Sequence, residues 1–307
     1  MEQRSKKKKH VSKATIRKYR FLAVLFAVPL VNFVVFWLFL NVSAIDFAFK
    51  VELGDGSVVY SLDNFKALFQ SMTIPGSTFW ISLRNTLLYW CSSVLSYVVA
   101  VLVGYFLFKK VPGSKAYRFI FYVPTLIAPT ILVALFKQLV AANGPLSVLY
   151  GGMENVPRFL TSESLAIWTC LFYSFFFGFG QNLLIISGAM SQVDSAILDA
   201  GRIDGAGMPR ELFNIVLPVI WPTIIATLIN MIAGIFNASG PILLLTEGNY
   251  QTRTIAYWIF EQVYTGQNYY YSAAIGLFFA LLTLPLVFFS RWLLRKVVPS
   301  NDSLEED

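Results

Sequence analysis

The chain alternates long apolar runs with short polar punctuation. Six runs approach or exceed the ~20 residues a helix needs to cross a ~30 Å hydrocarbon core. They fall at about 21–40, 86–108, 119–136, 165–186, 215–240 and 273–290. Helix is predicted for each, because in lipid every backbone N–H and C=O must be satisfied within the segment. Pro124 and Pro129 lie inside the third run and are expected to bend it. Two further segments carry the helical period. SLDNFKALFQ sets Leu62, Phe65, Leu68 and Phe69 at helical spacing, and Thr254–Tyr264 is half polar. Both are expected to lie along the outer membrane face, with Tyr264, Tyr269, Tyr270 and Tyr271 at headgroup level.

The predicted fold class is therefore an all-α membrane protein with six transmembrane helices. It divides into three regions: a basic tail over 1–20, a six-span domain over 21–296 and an acidic tail over 297–307. The first run, 21–40, is too long for a signal-peptide core and lacks a small-residue cleavage site before Asn41, so it is read as a retained span.

Composition agrees. The chain is 56% hydrophobic and 13% charged, about half the charge of a soluble domain, and its mean hydropathy is +0.62. The net charge of +7 comes largely from the N-terminal tail. It speaks to membrane orientation rather than to nucleic acid. Most of the 24 Lys and Arg fall in the tail, 109–118, 187–214 and the C-terminus. The other six (Lys50, Lys66, Arg84, Lys137, Arg158, Arg253) fall in the alternate loops or near span ends. This bias predicts six spans with both termini cytoplasmic. Cys91 and Cys170 sit in apolar runs, so neither a disulfide framework nor a cysteine metal site is implied.

No phosphate loop of the GxxxxGK[ST] form occurs, nor HExxH or GxSxG. The chain is thus not read as an enzyme, and no metal or catalytic residue is assigned. The apolar centres of the spans carry no Asp, Glu, Lys, Arg or His. Proton-coupled carriers usually bury such groups, so their lack points to another energy source and an uncharged solute. What the spans do carry is neutral and polar. Ser174, Gly178 and Gln181 fall at i, i+4 and i+7 on the fourth span, with Asn182 beside them; Asn230, Gly234 and Asn237 repeat the spacing on the fifth. Amides and hydroxyls of this kind grip hydroxyl-rich ligands such as sugars. The competing reading is ordinary interhelical hydrogen bonding, with Gly178 and Gly234 permitting close helix packing.

The loop over 190–214 is the most polar interior segment. Asp194 or Ser195 can cap a helix through AILDAGRI, Gly205 suits its stop, and Pro209 suits the first turn of the next helix. Ala196, Ile197, Ala200 and Ile203 form a narrow apolar stripe, with Asp199 and Arg202 off it. A connector lying on lipid headgroups would favour Lys and Arg, yet this loop has more acids. It is read instead as a surface that sockets into a partner.

Asp199-Ala200-Gly201, Asp204-Gly205-Ala206-Gly207, Phe213, Ile215, Leu217-Pro218 and Pro222 resemble the EAA loop of ABC importer permeases, especially the binding-protein-dependent sugar permeases of the maltose type. The loop's place after the fourth of six spans matches as well. SLDNF before the second span, Ser82-Leu83-Arg84-Asn85-Thr86 entering it and the Tyr/Ala-rich start of the sixth add weaker support. The family's leading Glu is Asp199 here, and its second Ala is Gly201.

The resemblance implies a type I ABC importer permease fold in a bacterial or archaeal cytoplasmic membrane. It implies a second homologous permease subunit, two cytoplasmic ATPase subunits holding ATP and Mg, and an external solute-binding protein; the chain itself would hold no cofactor. Ile197, Asp199, Ala200, Gly201, Ile203, Asp204 and Gly205 would contact the ATPase: Asp199 pairing with a cation, Gly205 allowing close approach, and Ile197, Ala200 and Ile203 filling its groove. Ser174, Gly178, Gln181, Asn182, Asn230, Gly234 and Asn237 would line the solute path. The solute would be an oligosaccharide or other neutral carbohydrate. The alternatives are the same machinery for a glycerophosphodiester, peptide or polyamine, or a stand-alone carrier.

Overall fold

The structure, a computed structural model, describes residues 13–297. Most of the basic tail and nearly all of the acidic tail lie outside the described residues. Lys13–Asn32, Phe33–Phe39 and Leu40–Ala48 form one unbroken helix, α1, whose middle segment is π-helical. Its apolar residues point outward all round, and its C-terminal end packs on the last helix. Lipid can serve as the solvent for such a helix. A hairpin of β1 (Lys50–Glu52) and β2 (Val58–Tyr60), which periodicity does not predict, caps that end. Lys50 and Tyr60 both bond Asp46 there, and the Asp46 contact holds the Lys50 ammonium above its usual pKa.

Helix α2 (Asp63–Thr73) buries Leu68 and Asn64, while Leu62 and Phe69 stay exposed. Its amphipathic face thus docks on protein through Leu68. The second span, α3 (Thr78–Phe108), begins well before the apolar run does.

The third span departs most from expectation. It is two helices, α4 (Ser114–Leu126) and α5 (Pro129–Val140), set at 104°. Ala128 precedes Pro129 and is driven to extended backbone (ψ 130°), as is Ile127 (ψ 139°). Two consecutive extended residues end a helix, so the run breaks before Pro129 rather than bending, while Pro124 stays inside α4.

The fourth span, α6 (Ala166–Met190), runs alongside α3 in the most extensive helix pairing of the fold. It also approaches α4 closely at Gly180, where a Cβ would collide with the Phe121 carbonyl. Gly178, the expected packing glycine, faces open space.

After α7 (Ser195–Ile203), the fifth span α8 (Met208–Ala233) contains a π turn over Leu212–Val216. Leu217 N–H reaches back to the Leu212 carbonyl, an i−5 bond. Pro218, next in line, has no N–H to offer the Asn214 carbonyl, which accounts for the slackened ladder. Turns at Ile235–Asn237 and Ile242–Leu245 lead to α9 (Ile255–Tyr264). Helix α9 buries Ile255, Tyr257 and Trp258 against α3 and the last span, α10 (Tyr269–Val297). Among the described residues, five helices are long and apolar enough to span, or six with the bent pair counted as one.

Candidate functional site

The 190–214 loop folds largely as its residues dictate. Asp194 is extended (ψ 132°), and its Oδ1 accepts from Ala196 N–H at 2.9 Å, capping α7. At the other end Ala206 N–H bonds the Gly201 carbonyl at 2.9 Å and Gly205 N–H bonds the Arg202 carbonyl at 3.1 Å. That pair is a Schellman stop, and Gly205 supplies its left-handed residue at φ +74°. Nothing lies within 4 Å of a Cβ placed on Gly205. Within this chain its role is therefore conformational and not close approach.

The face of α7 turned to the protein is Leu198 and Gly201. Leu198 joins one apolar cluster with Tyr105, Ala189, Met190, Val193, Leu212 and Val216. A Cβ on Gly201 would collide with Ile215 Cδ1, so glycine at this position lets α7 sit down on the start of the fifth span. The predicted stripe is the opposite face: Ala196, Ile197 and Ala200 are exposed, and Ile203 is 88% exposed. Asp199 is exposed and already paired with Arg202 at 2.7 Å, so its carboxylate is not free of intrachain partners. Asp204 sits at the helix C-cap, also exposed.

Sequence reasoning missed the contact that fixes this loop. Glu211 is buried, and Lys109 Nζ donates to both its carboxylate oxygens at 2.8 Å. The Tyr105 hydroxyl lies within reach of Glu211 Oε1 (3.3 Å) and the Met208 carbonyl (3.0 Å). The available signal was an acid one residue before an apolar run, the fourth residue of a helix begun at Met208 with Pro209 in its first turn, in a chain short of acids.

The proposed solute-path residues are not drawn together as expected. Helix α8 ends at Ala233, Gly234 caps it and Asn237 falls in a 3-10 turn, so Asn230, Gly234 and Asn237 are not one face of a continuous helix. Asn230 and Asn237 are exposed, as are Gly178 and Gln181; Asn182 is half-buried. Ser174 turns into the protein beside Tyr89 and Gly240, and neither its Oγ nor the Tyr89 hydroxyl finds a hydrogen-bond partner. On the fourth span, then, Gln181 and Gly178 keep an outward face while Ser174 belongs to the core.

A comparison with protein families matches residues 96–299 to the binding-protein-dependent transport system inner membrane component. The chain belongs to this family. It is 27% identical over 191 residues to the probable ABC transporter permease protein YesP of Bacillus subtilis (strain 168), a match covering 61% of this chain and 60% of YesP. It is 25% identical over 249 residues to the sn-glycerol-3-phosphate transport system permease protein UgpA of Pectobacterium atrosepticum, covering 80% and 83% of the two chains. Among solved structures, a chain of a bacterial ABC transporter involved in the import of the acidic polysaccharide alginate superposes with a TM-score of 0.79. The identity there is 22%, over 93% of this chain and 98% of that one. A bacterial alginate ABC transporter in complex with an alginate pentasaccharide-bound periplasmic protein superposes equally well. The ABC importer permease fold is thus established, and this inner-membrane chain is a transporter component. Residues 96–299 include the whole 190–214 loop and both spans that flank it.

Proposed function

We propose that this permease is one transmembrane subunit of an ATP-driven importer for a carbohydrate or related polyol, working by alternating access. Two cytoplasmic ATPase subunits would hold ATP and Mg and grip α7 and its counterpart on a second, homologous permease. An external solute-binding protein would deliver the solute. The observation that carries this reading is the geometry of α7. It is a short helix capped at both ends, seated on the fold by Leu198 and Gly201, with Ile197, Ala200 and Ile203 exposed on its far side. A stand-alone carrier has no use for an apolar face displayed beside a ring of charge. ATP-driven closure would move α7 as a rigid unit and reorient the spans fused to it, with Gln181, Asn182, Asn230 and Asn237 as the proposed solute contacts.

A second solute class, an acidic saccharide or phosphorylated polyol, is favoured by the opposite end of the molecule. A cavity of about 430 Å³ lies between the 141–161 and 245–250 segments, with two cations (Lys137, Arg158), one acid (Glu247) and the rings of Phe159 and Tyr250 on its wall. Cations beside aromatic rings suit an anionic sugar. Uptake by membrane vesicles carrying the whole complex and its binding protein tests both classes, using neutral oligosaccharides, uronate oligosaccharides and glycerol 3-phosphate. Uptake of none of the three, with peptides or polyamines taken up instead, would overturn the carbohydrate reading. Asn237→Leu with Gln181→Leu should lower the uptake rate severalfold; an unchanged rate and selectivity would remove these residues from the path.

A further inference from the structure

We propose that Glu211 is a positioning residue for transport, fixing the α7 loop to the inner end of the second span through Lys109 and Tyr105. The proposal rests on the importer reading above.

Three observations lead to it. Among the described residues, every side-chain hydrogen bond between the 192–216 segment and another helix converges on one place. These are the Lys109 bonds to Glu211 and the Tyr105 bonds to Glu211 and the Met208 carbonyl. The remaining contacts of α7 are apolar, through Leu198 and the close seat of Gly201 on Ile215. Apolar contacts are non-directional, so they hold the helix down without setting its register.

The second observation is burial. The side chain of Glu211 is 3% exposed and that of Lys109 is 14% exposed. An ion pair so desolvated contributes little net stability over apolar substitutes, and its best-attested value is to select one geometry. The third lies immediately beyond Glu211 in the chain. The π turn of Leu212–Val216 and Pro218 make the direct covalent route from α7 into the fifth span the slack one. A lever whose own joint is soft transmits motion poorly. The Glu211–Lys109 pair bypasses that joint by fixing the loop to α3, which packs along α6 for most of its length. Displacement of α7 is thereby delivered to the second, fourth and fifth spans together.

The experiment uses the complete complex, co-expressed and reconstituted with its binding protein, and measures solute imported per ATP hydrolysed. Glu211→Gln should leave the ATPase subunits bound and basal hydrolysis intact while lowering uptake per ATP about tenfold. The exchanged pair Lys109→Glu with Glu211→Lys should recover much of the loss. The apolar pair Lys109→Met with Glu211→Leu should assemble with an unchanged melting temperature and yet remain poorly coupled, a result that a purely structural role would not give. Wild-type coupling in either Glu211→Gln or the apolar pair would overturn the proposal. So would failure of the apolar pair to assemble, because the ion pair would then be a folding requirement. Failure of the wild-type chain to retain any ATPase would instead overturn the importer reading.

Discussion

The two ends of α3 are both tied to a loop that comes after a later span, and the ties differ in kind. At the end carrying α2 and α9, Asn85 is fully buried and donates to the backbone carbonyls of Gln251 (2.6 Å) and Arg253 (2.8 Å). Thr86 Oγ1 accepts from Ile255 N–H at 3.0 Å, and Thr254 Oγ1 accepts from Tyr257 N–H at the start of α9. Neutral side chains there meet backbone, next to three non-glycine residues held at positive φ (Glu247, Tyr250, Gln251). At the other end a charged pair meets across two helices, next to a π turn. Backbone partners on a strained loop specify one static shape, because the loop has no other way to satisfy its carbonyls. A single ion pair beside a slack helix fixes one geometry through charge instead. One end is held by backbone, the other by a buried charge pair.

Substitutions can break or sharpen this contrast. Lys109→Met should have the largest effect, about 3–5 kcal/mol, because it leaves the Glu211 charge buried without its partner; thermal unfolding of the purified complex measures it. Adding Glu211→Leu should return most of that loss. Asn85→Leu removes a fully buried amide and strips the donors from the Gln251 and Arg253 carbonyls, and should cost about 2–4 kcal/mol. Hydrogen exchange should then rise over 251–258 and stay unchanged around α7; faster exchange at both ends would erase the distinction. Gly201→Leu overpacks the seat on Ile215 and should cost about 1–3 kcal/mol, with Ile215→Ala in the same chain relieving it. Gly205→Ala places a Cβ at φ +74° and should cost about 1 kcal/mol in melting experiments. Asp199→Ala should change stability by less than about 0.5 kcal/mol, since both members of its pair are largely exposed. A loss of ATPase retention in that variant would then report on the partner and not on folding.

Several features were legible in the residues. The α7 helix, its Asp194 cap and its Gly205 stop are local chemistry, and they stand as read. Glycine at 201, a departure from the family pattern, acquires a reason only when Ile215 arrives from further along the chain. The α7 stripe read as turned to a partner is exposed on this chain, while the surface it turns inward was not legible. Periodicity finds Ala196, Ile197, Ala200 and Ile203, but a helix can have two apolar surfaces, and which one turns inward depends on what lies beneath. Leu198 turned inward because Ala189, Val193 and Leu212 line the floor. The third span reads as one apolar run because hydropathy is blind to direction, whereas Ala128 before Pro129 turns the chain by 104°. The Asn230–Gly234–Asn237 face was lost for a related reason: its spacing presumes a helix that stops at Ala233.

By itself, the sequence determined the class of molecule, its long apolar helices and the presence of one capped helix between the fourth and fifth apolar runs. Those properties come from local rules, namely the length of apolar runs, the chemistry of caps and stops, and the distribution of charge. Tertiary structure decided which face of α7 turns inward, where the third apolar run breaks in space, and that Glu211 meets Lys109 across 102 residues of chain. These depend on which surfaces come together after the spans are formed, and side chains far apart in sequence leave no local pattern of their meeting.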